Sequence, residues 1–135
     1  MRGSLQSYRK VSLESEIAVA SPHRLVQLMF KGALERVAQS RYAIEQGNIS
    51  AKGEYIGKAI GIINGLQNSL NMKAGGNIAA NLNQLYDFMI MRLSHANLNN
   101  DPAALDDVSA ILREIKEAWD AIPAEQHHLT STEDN

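Results

Sequence analysis

The four histidines are the side chains in this sequence with the widest choice of chemistry, because imidazole can transfer protons, be phosphorylated or bind a metal near neutral pH. His95 falls on the outer face of a predicted helix, as a phosphorylatable histidine does on some four-helix bundles. However, Ala96 to Leu98 follow it in place of the lysine-glycine pair expected there. His23 falls in the first turn of another predicted helix, so we expect it to be solvated. Neither position indicates catalysis.

A metal or nucleophile site is equally poorly supported. Glu125 and His128 have the Glu-x-x-His spacing of a di-iron ligand pair, but there is one copy, it follows Pro123, and no glutamate is predicted to face inward. The sequence has no cysteine. Its serines lack the strand-turn-helix setting of a hydrolase nucleophile, and no glycine loop could bind phosphate. We therefore predict a protein that is not an enzyme and needs neither cofactor nor metal.

The charge is nearly balanced, with a net value of −2 over 135 residues. Residues 1–48 carry seven basic and four acidic side chains, whereas residues 99–135 carry two and nine. The basic residues are scattered, which argues against a nucleic-acid partner. The acidic last helix is expected to lie beside basic neighbours in one bundle.

Apolar residues recur at the three-four spacing of amphipathic helices in four segments, near residues 22–46, 50–72, 77–98 and 101–122. Ser21-Pro22 and Asp101-Pro102 are helix-start signals, and Gly47-Asn48 and Ala74-Gly75-Gly76 are helix-end signals. Helices of similar length with short connections pack as antiparallel neighbours. The sequence therefore predicts an all-α, up-down-up-down four-helix bundle over residues 21–122.

The two ends of the chain differ from this bundle. Residues 1–20 contain a few spaced apolar residues and are expected to form a strap or short helix that docks on the bundle, docks on a partner or stays loose. Residues 123–135 are polar and are predicted to be a disordered tail. No apolar run reaches the roughly 18 residues of a membrane span, and no signal peptide is evident.

The bundle has more apolar side chains than one stripe per helix requires. In the first helix, Leu25, Val26 and Met29 begin the predicted inner stripe, and Phe30 and Leu34 widen it. The surplus predicts an external apolar groove for a binding partner, with the strap covering a wide core as the alternative. The candidate groove residues are Phe30, Leu34, Gly61, Ile62, Gly65, Phe88 and Met91.

A glycine occurs at every fourth residue of the second helix, at Gly53, Gly57, Gly61 and Gly65. Each interior glycine costs about 0.5–1 kcal/mol relative to alanine, so the row needs a compensating gain. For Gly53 and Gly57 we favour close packing against a neighbouring helix. Gly61 and Gly65 are expected to point outward, where they could receive a helix from another chain or simply loosen this one.

Several segments together resemble the flagellin-export chaperone (FliS) family. They are Ser21 to Met29 with Gly32-Ala33-Leu34, Lys58-Ala59-Ile60 with Leu66, Asn77-Ile78-Ala79 with Leu85-Tyr86 and Ala96-Asn97, Ala118-Trp119, and Tyr8 in the strap. Their order and spacing carry the resemblance over about residues 5–122. Phe30 and Lys31 depart from it, since the family commonly has a tyrosine and an acidic residue there.

The resemblance implies a cytoplasmic chaperone that binds the disordered C-terminal segment of flagellin, prevents premature polymerisation and helps deliver it to the flagellar export apparatus. Such a client would fold on binding as a helix in an apolar groove. No membrane insertion and no nucleotide are implied. The alternative function is a structural or regulatory bundle that self-associates through the same surface.

We predict that the strap acts as a lid on the groove through Leu5, Tyr8, Val11 and Ile17. Burying each larger side chain contributes about 1.5–3 kcal/mol, but the conformational entropy lost by ordering about a dozen residues largely cancels this gain. The closed lid should therefore be only marginally stable. The same strap could also dock on a second copy of the chain and form a weak dimer. Deleting residues 1–17 should then speed association of a labelled flagellin peptide in stopped-flow measurements. Slower or weaker binding by the truncated protein would contradict the lid.

Overall fold

The computed structural model of the chain describes residue 15 and residues 20–130, with side chains as far as His127. All regular secondary structure in this part of the chain is helical. The elements are α1 Pro22–Glu45, α2 Ile49–Asn68, α3 Met72–Asn99, α4 Pro102–Asp120 and a C-terminal 3₁₀ helix, Ala124–Thr130. The predicted all-α fold with four long helices is confirmed.

Each α-helix begins at a side-chain oxygen that replaces a missing helical hydrogen-bond partner. Ser21 Oγ accepts a hydrogen bond of 3.1 Å from the backbone N–H of Arg24. Asn48, Asn71 and Asp101 cap the following three helices in the same way. The starts of these four α-helices are therefore encoded locally.

The helices form a ring in chain order, in which α1 packs on α2, α2 on α3, α3 on α4 and α4 on α1. Short connections reverse the chain between them, so neighbours are antiparallel, as predicted. We call the end that holds the start of α1 and the end of α4 the first end, and the opposite one the second end. None of the described helices is long and apolar enough to cross a lipid bilayer.

The boundary between α2 and α3 differs from the predicted one. α2 ends at Asn68 rather than near residue 72, because Asn71 begins a new helical turn by accepting a hydrogen bond of 3.0 Å from the N–H of Ala74. The expected glycine break is present inside α3, where Gly76 adopts φ 52° and ψ −128°. An L-residue rarely adopts this conformation, so the break needs glycine there.

The core is built from one face of each helix, but α1 is rotated from its predicted position. Its buried residues are His23, Val26, Phe30, Ala33, Val37, Ser40 and Ala43. Leu25, which we had placed on the inner stripe, is 39% exposed. Two polar residues, His23 and Ser40, also lie on the buried face of α1. Ser40 donates a hydrogen bond of 2.7 Å to the carbonyl of Arg36. Because these two residues are polar, the three-four spacing of the buried face was not evident in the sequence.

The glycine row on α2 also differs from the prediction. A Cβ on Gly65 would stand 2.9 Å from Met29 Cε, so Gly65 lies against α1 rather than pointing away from it. Gly53, Gly57 and Gly61 have no such neighbour within 4 Å. The close packing expected at Gly53 and Gly57 is therefore wrong, because these two positions face away from both neighbouring helices.

A buried lysine fastens the second end of the bundle. Lys52 at the start of α2 is 7% exposed, and its ammonium donates to the carbonyl of Asn97 at 2.8 Å and to Asn100 Oδ1 at 2.6 Å. Asn100 ends α3 in the left-handed conformation, with φ 50°. The cation thus lies at the negative end of the α3 dipole and satisfies its last oxygen atoms.

The structure places a further helical element within the polar segment predicted to be a tail. Residues 124–130 form the C-terminal 3₁₀ helix, which packs against α1. The contact uses the ring of His127, whose centroid lies 3.6 Å from that of His23. The absence of helical periodicity in residues 124–130 hid a contact that depends on a residue more than 100 positions earlier in the chain. Residues 131–135 lie outside the described part of the chain.

Replacing Gly61 with alanine should raise the free energy of unfolding by about 0.5–1 kcal/mol, because the site is open and alanine favours the helix. Gly65→Ala should gain less, since the Met29 methyl group must move. Urea denaturation of the two variants measures the difference. Equal gains at both positions would contradict the contact between Gly65 and Met29.

Removing the buried ammonium with Lys52→Ala should lower the free energy of unfolding by about 1.5–3 kcal/mol, because it leaves two oxygen acceptors at the end of α3 without their charged donor. Lys58→Ala on the same helix is the matched control. Lys58 makes an exposed pair with Glu54, and its loss should cost at most about 1 kcal/mol. Similar losses in the two variants would contradict the anchoring role of Lys52.

Candidate binding surface

Exposed apolar side chains are concentrated on one helix. Among the described residues, nine large apolar side chains are exposed, and six of them belong to α3. The six are Met72, Ile78, Leu85, Phe88, Met91 and Leu98. Single exposed apolar residues are common on any protein, but a cluster on one element marks a surface for a partner.

Four of these side chains lie along one row, which we call the α3 surface: Leu85, Phe88, Met91 and Leu98. The first three are spaced by three residues, and Leu98 lies two turns beyond Met91, so the row winds along the outside of α3. Phe88 is 40% exposed, Met91 59% and Leu98 83%. The intervening core residues Met89 and Leu93 are fully buried, so the row is separate from the core.

Polar contacts to both neighbouring helices fix the orientation of α3. Arg92, one turn after Phe88, donates to Asp107 of α4 at 2.9 Å, which places Phe88 on the side of α3 nearer α4. On the other edge, Gln67 of α2 donates to Asn83 Oδ1 at 2.9 Å and to Asp87 Oδ1 at 2.6 Å. The α3 surface therefore extends from the α4 side of α3 to its outer face.

The structure does not bring the seven predicted groove residues together. Phe30 is 1% exposed and lies in the core, so its predicted surface position is wrong. It is buried because it shares the three-four face of Val26, Ala33 and Val37. Phe30 is buried because α1 is rotated from its predicted position. In this conformation it therefore cannot form part of a surface groove.

The other predicted residues lie on different sides of the bundle. Ile62 and Gly65 contact α1, since Ile62 Cδ1 is 3.5 Å from where a Cβ on Gly32 would stand. Gly61 is exposed on α2. Phe88 and Met91 are the two that belong to the α3 surface. Leu5, Tyr8, Val11 and Ile17 of the predicted lid lie outside the described residues.

Leu34 faces α4 rather than α2. Gln27 and Arg41 lie seven residues before and after it, on the same face of α1. Gln27 donates to Asp120 Oδ1 at 2.8 Å, and Arg41 Nε donates to Asp106 Oδ1 at 2.9 Å. Leu34, which is partly buried against the core, therefore lies at the contact between α1 and α4.

The first end of the bundle holds an aromatic cluster that the sequence analysis missed. The ring of His23 stacks on Trp119 at 4.8 Å between centroids and on His127 at 3.6 Å, with interplanar angles of 11° and 8°. Trp119 Nε1 donates to the carbonyl of His23 at 3.0 Å. His23 is 2% exposed, so the expectation that it is solvated is wrong. The cluster joins residues that are far apart in the sequence, so local spacing offered no signal for it.

Burial lowers the pKa of His23, and the nearby His127 lowers it further, whereas Asp120 opposes both effects. The net effect favours the neutral form of His23. Within the described part of the chain, no group of histidines and carboxylates could hold a metal ion. His95 contacts Asp101 at 3.3 Å at the second end, far along the bundle from this cluster.

Comparison with known proteins identifies the family. The family model described as "Flagellar protein FliS" matches residues 4–126. The flagellar secretion chaperone FliS of Vibrio cholerae is 56% identical over 133 residues, which are 98% of each chain. FliSB of Pseudomonas aeruginosa is 50% identical over 88% of this chain and 94% of its own, and FliS of Salmonella typhimurium is 47% identical over 87% and 88%. The resemblance inferred from the residues is thereby confirmed, and the chain belongs to the FliS family of flagellar proteins.

Proposed function

We propose that this chain is a flagellar secretion chaperone that binds the disordered C-terminal segment of flagellin in the cytoplasm. It keeps the segment from polymerising and assists its delivery to the flagellar export apparatus. The names of its relatives support the export role. The observation that carries the binding role is the α3 surface, which leaves Phe88, Met91 and Leu98 exposed on an otherwise well-packed bundle.

The shape of the α3 surface suits a helical client. Leu85, Phe88 and Met91 follow each other at three-residue steps and Leu98 lies two turns further on, which produces a ridge that an amphipathic helix can pack against with its own apolar stripe. The side chains bordering it include Arg92 and Asp107, which already pair with each other. Apolar contact, rather than charge, should therefore supply most of the affinity.

The bundle itself is preformed, so the ordering cost of binding falls on the client. A disordered segment that folds on binding loses part of its contact energy to conformational entropy. The complex should therefore be reversible, as a protein that must release its client for export requires. No cofactor or nucleotide takes part in this proposal.

Placing a carboxylate on the α3 surface should weaken binding. Met91→Glu and Phe88→Glu should each reduce the affinity for a flagellin C-terminal peptide at least tenfold, which corresponds to about 1.4 kcal/mol of lost apolar burial. Isothermal titration calorimetry measures the dissociation constants. The circular dichroism of both variants should stay that of a folded helical bundle, because neither side chain belongs to the core.

Tyr42→Glu is the matched control, since Tyr42 is as exposed as Met91 but lies on α1, diagonally across the bundle. Its affinity should equal that of the wild type. If all three folded variants bind alike, the α3 surface is not the client site. If none of the proteins, including the wild type, binds the peptide, the proposed client is wrong.

Self-association through the same surface is the alternative function. Light scattering over a concentration series, with and without the flagellin peptide, distinguishes the two. A chaperone should stay small as its concentration rises and form a defined complex with the peptide. Growth in mass that Met91→Glu abolishes, without any response to peptide, would favour the self-associating bundle.

A further inference from the structure

We propose that His95 is a fifth member of the α3 surface and that its ring contacts the client between Met91 and Leu98. Asn99 is the positioning residue that holds this ring in place. The inference rests on the function proposed above, because it names a further contact and an orienting residue for the same client.

His95 fills the gap that the α3 surface leaves between Met91 and Leu98. It lies four residues after Met91 and three before Leu98, so its side chain is on the same outer face of α3. That side chain is 45% exposed. With His95 included, the row follows α3 at steps of three or four residues, without a missing turn.

Both ring nitrogens of His95 have partners within the chain. Asn99 Nδ2 lies 3.1 Å from Nδ1 of the ring and also donates to the carbonyl of His95 at 3.2 Å. A carbonyl can only accept, so this atom of Asn99 is the amide nitrogen, Nδ1 accepts, and the proton of the neutral imidazole lies on Nε2. Nε2 lies 3.3 Å from Asp101 Oδ2. What the ring offers a partner is therefore its carbon atoms and π face rather than a hydrogen bond.

The outer face of α3 presents no acidic or basic side chain along this row. Beyond the glycine break of α3, the acidic and basic residues of the helix are Asp87 and Arg92. Asp87 accepts a hydrogen bond from Gln67 of α2, and Arg92 donates to Asp107 of α4, so both charges are held at the edges of the helix. A client side chain that packs on the ring should therefore be aliphatic or aromatic, since the row on both sides of the ring is apolar.

The completed row also defines the length of the helix that fits it. From residue 85 to residue 98 it is about 20 Å long, or nearly four helical turns. The matching partner is an amphipathic helix of about four turns with an unbroken apolar stripe. A client helix with a polar residue in the middle of that stripe would leave the ring of His95 uncovered.

Isothermal titration calorimetry at neutral pH with the flagellin C-terminal peptide tests the ring contact. His95→Ala should weaken binding between about twofold and tenfold, the range expected for a lost aromatic contact. His95→Phe should bind at least as tightly as the wild type, because it keeps a flat ring in the row. Ser94→Ala is the matched control: Ser94 lies seven residues after Asp87, on the α2 side of α3, and its loss should leave the affinity unchanged.

A double-mutant cycle tests the positioning role of Asn99. Asn99→Ala should weaken binding about twofold or more in the wild-type background, because the ring loses its fixed orientation. In the His95→Phe background the same change should have no effect, since phenylalanine has no nitrogen for Asn99 to hold. The hydrogen bond from Asn99 to the carbonyl of residue 95 is lost in both backgrounds. Equal weakening in the two backgrounds would therefore reveal a merely structural role and overturn the positioning role.

Nuclear magnetic resonance of the wild type gives a readout that needs no destabilised variant. The imidazole carbon-bound proton signals of His95, assigned by their loss in His95→Phe, should shift when the peptide is added. Signals that stay in place at saturating peptide would overturn the contact.

These outcomes separate the ring contact from the client itself. Circular dichroism first establishes that each variant is a folded helical bundle. If the wild type does not bind the peptide, the proposed client is wrong and the role of His95 falls with it. If Met91→Glu weakens binding but His95→Ala binds normally, the α3 surface is the client site and His95 is not part of it. Equal weakening in His95→Ala and His95→Phe would likewise overturn the ring contact.

Discussion

The burial of one apolar face from each of four helices in a shared core is the constraint on which the rest of this structure depends. In the ring of helices, each has two neighbours, so its rotation about its own axis is set by both contacts at once. Residues such as Ile63, Met89, Leu93 and Leu112 are fully buried. Once these side chains are buried, those on the opposite face of each helix must point away from the core. The α3 surface is exposed for this reason.

Polar contacts between residues distant in sequence complete the two ends of the bundle, where the apolar faces run out. At the second end Lys52 joins the start of α2 to the end of α3. At the first end His23 joins the start of α1 to Trp119 of α4 and to the C-terminal 3₁₀ helix. The buried ammonium of Lys52 has hydrogen-bond partners, as a buried polar group must have to avoid a desolvation cost. The sides of the bundle thus depend on apolar packing and its ends on specific polar and aromatic contacts.

This member of the FliS family therefore presents two kinds of surface, one on the side of the bundle and one at its first end. The α3 surface is apolar, and its helix is hydrogen-bonded to both neighbouring helices. The first end is aromatic, contains two histidines in contact and is covered by a short helix of seven residues.

The sequence by itself determined the four helices, their antiparallel order and the family. Caps such as Ser21 and Asp101 act on backbone groups within three residues, and short connections leave few ways to pack successive helices. Only the tertiary structure decided which side of α1 is buried, so that Phe30 enters the core and Leu25 does not. It also placed Gly65 against Met29, spread the predicted groove residues over several sides, and joined His127 to His23. These features depend on how neighbouring helices rotate and on contacts across a hundred residues of chain, neither of which local spacing can encode.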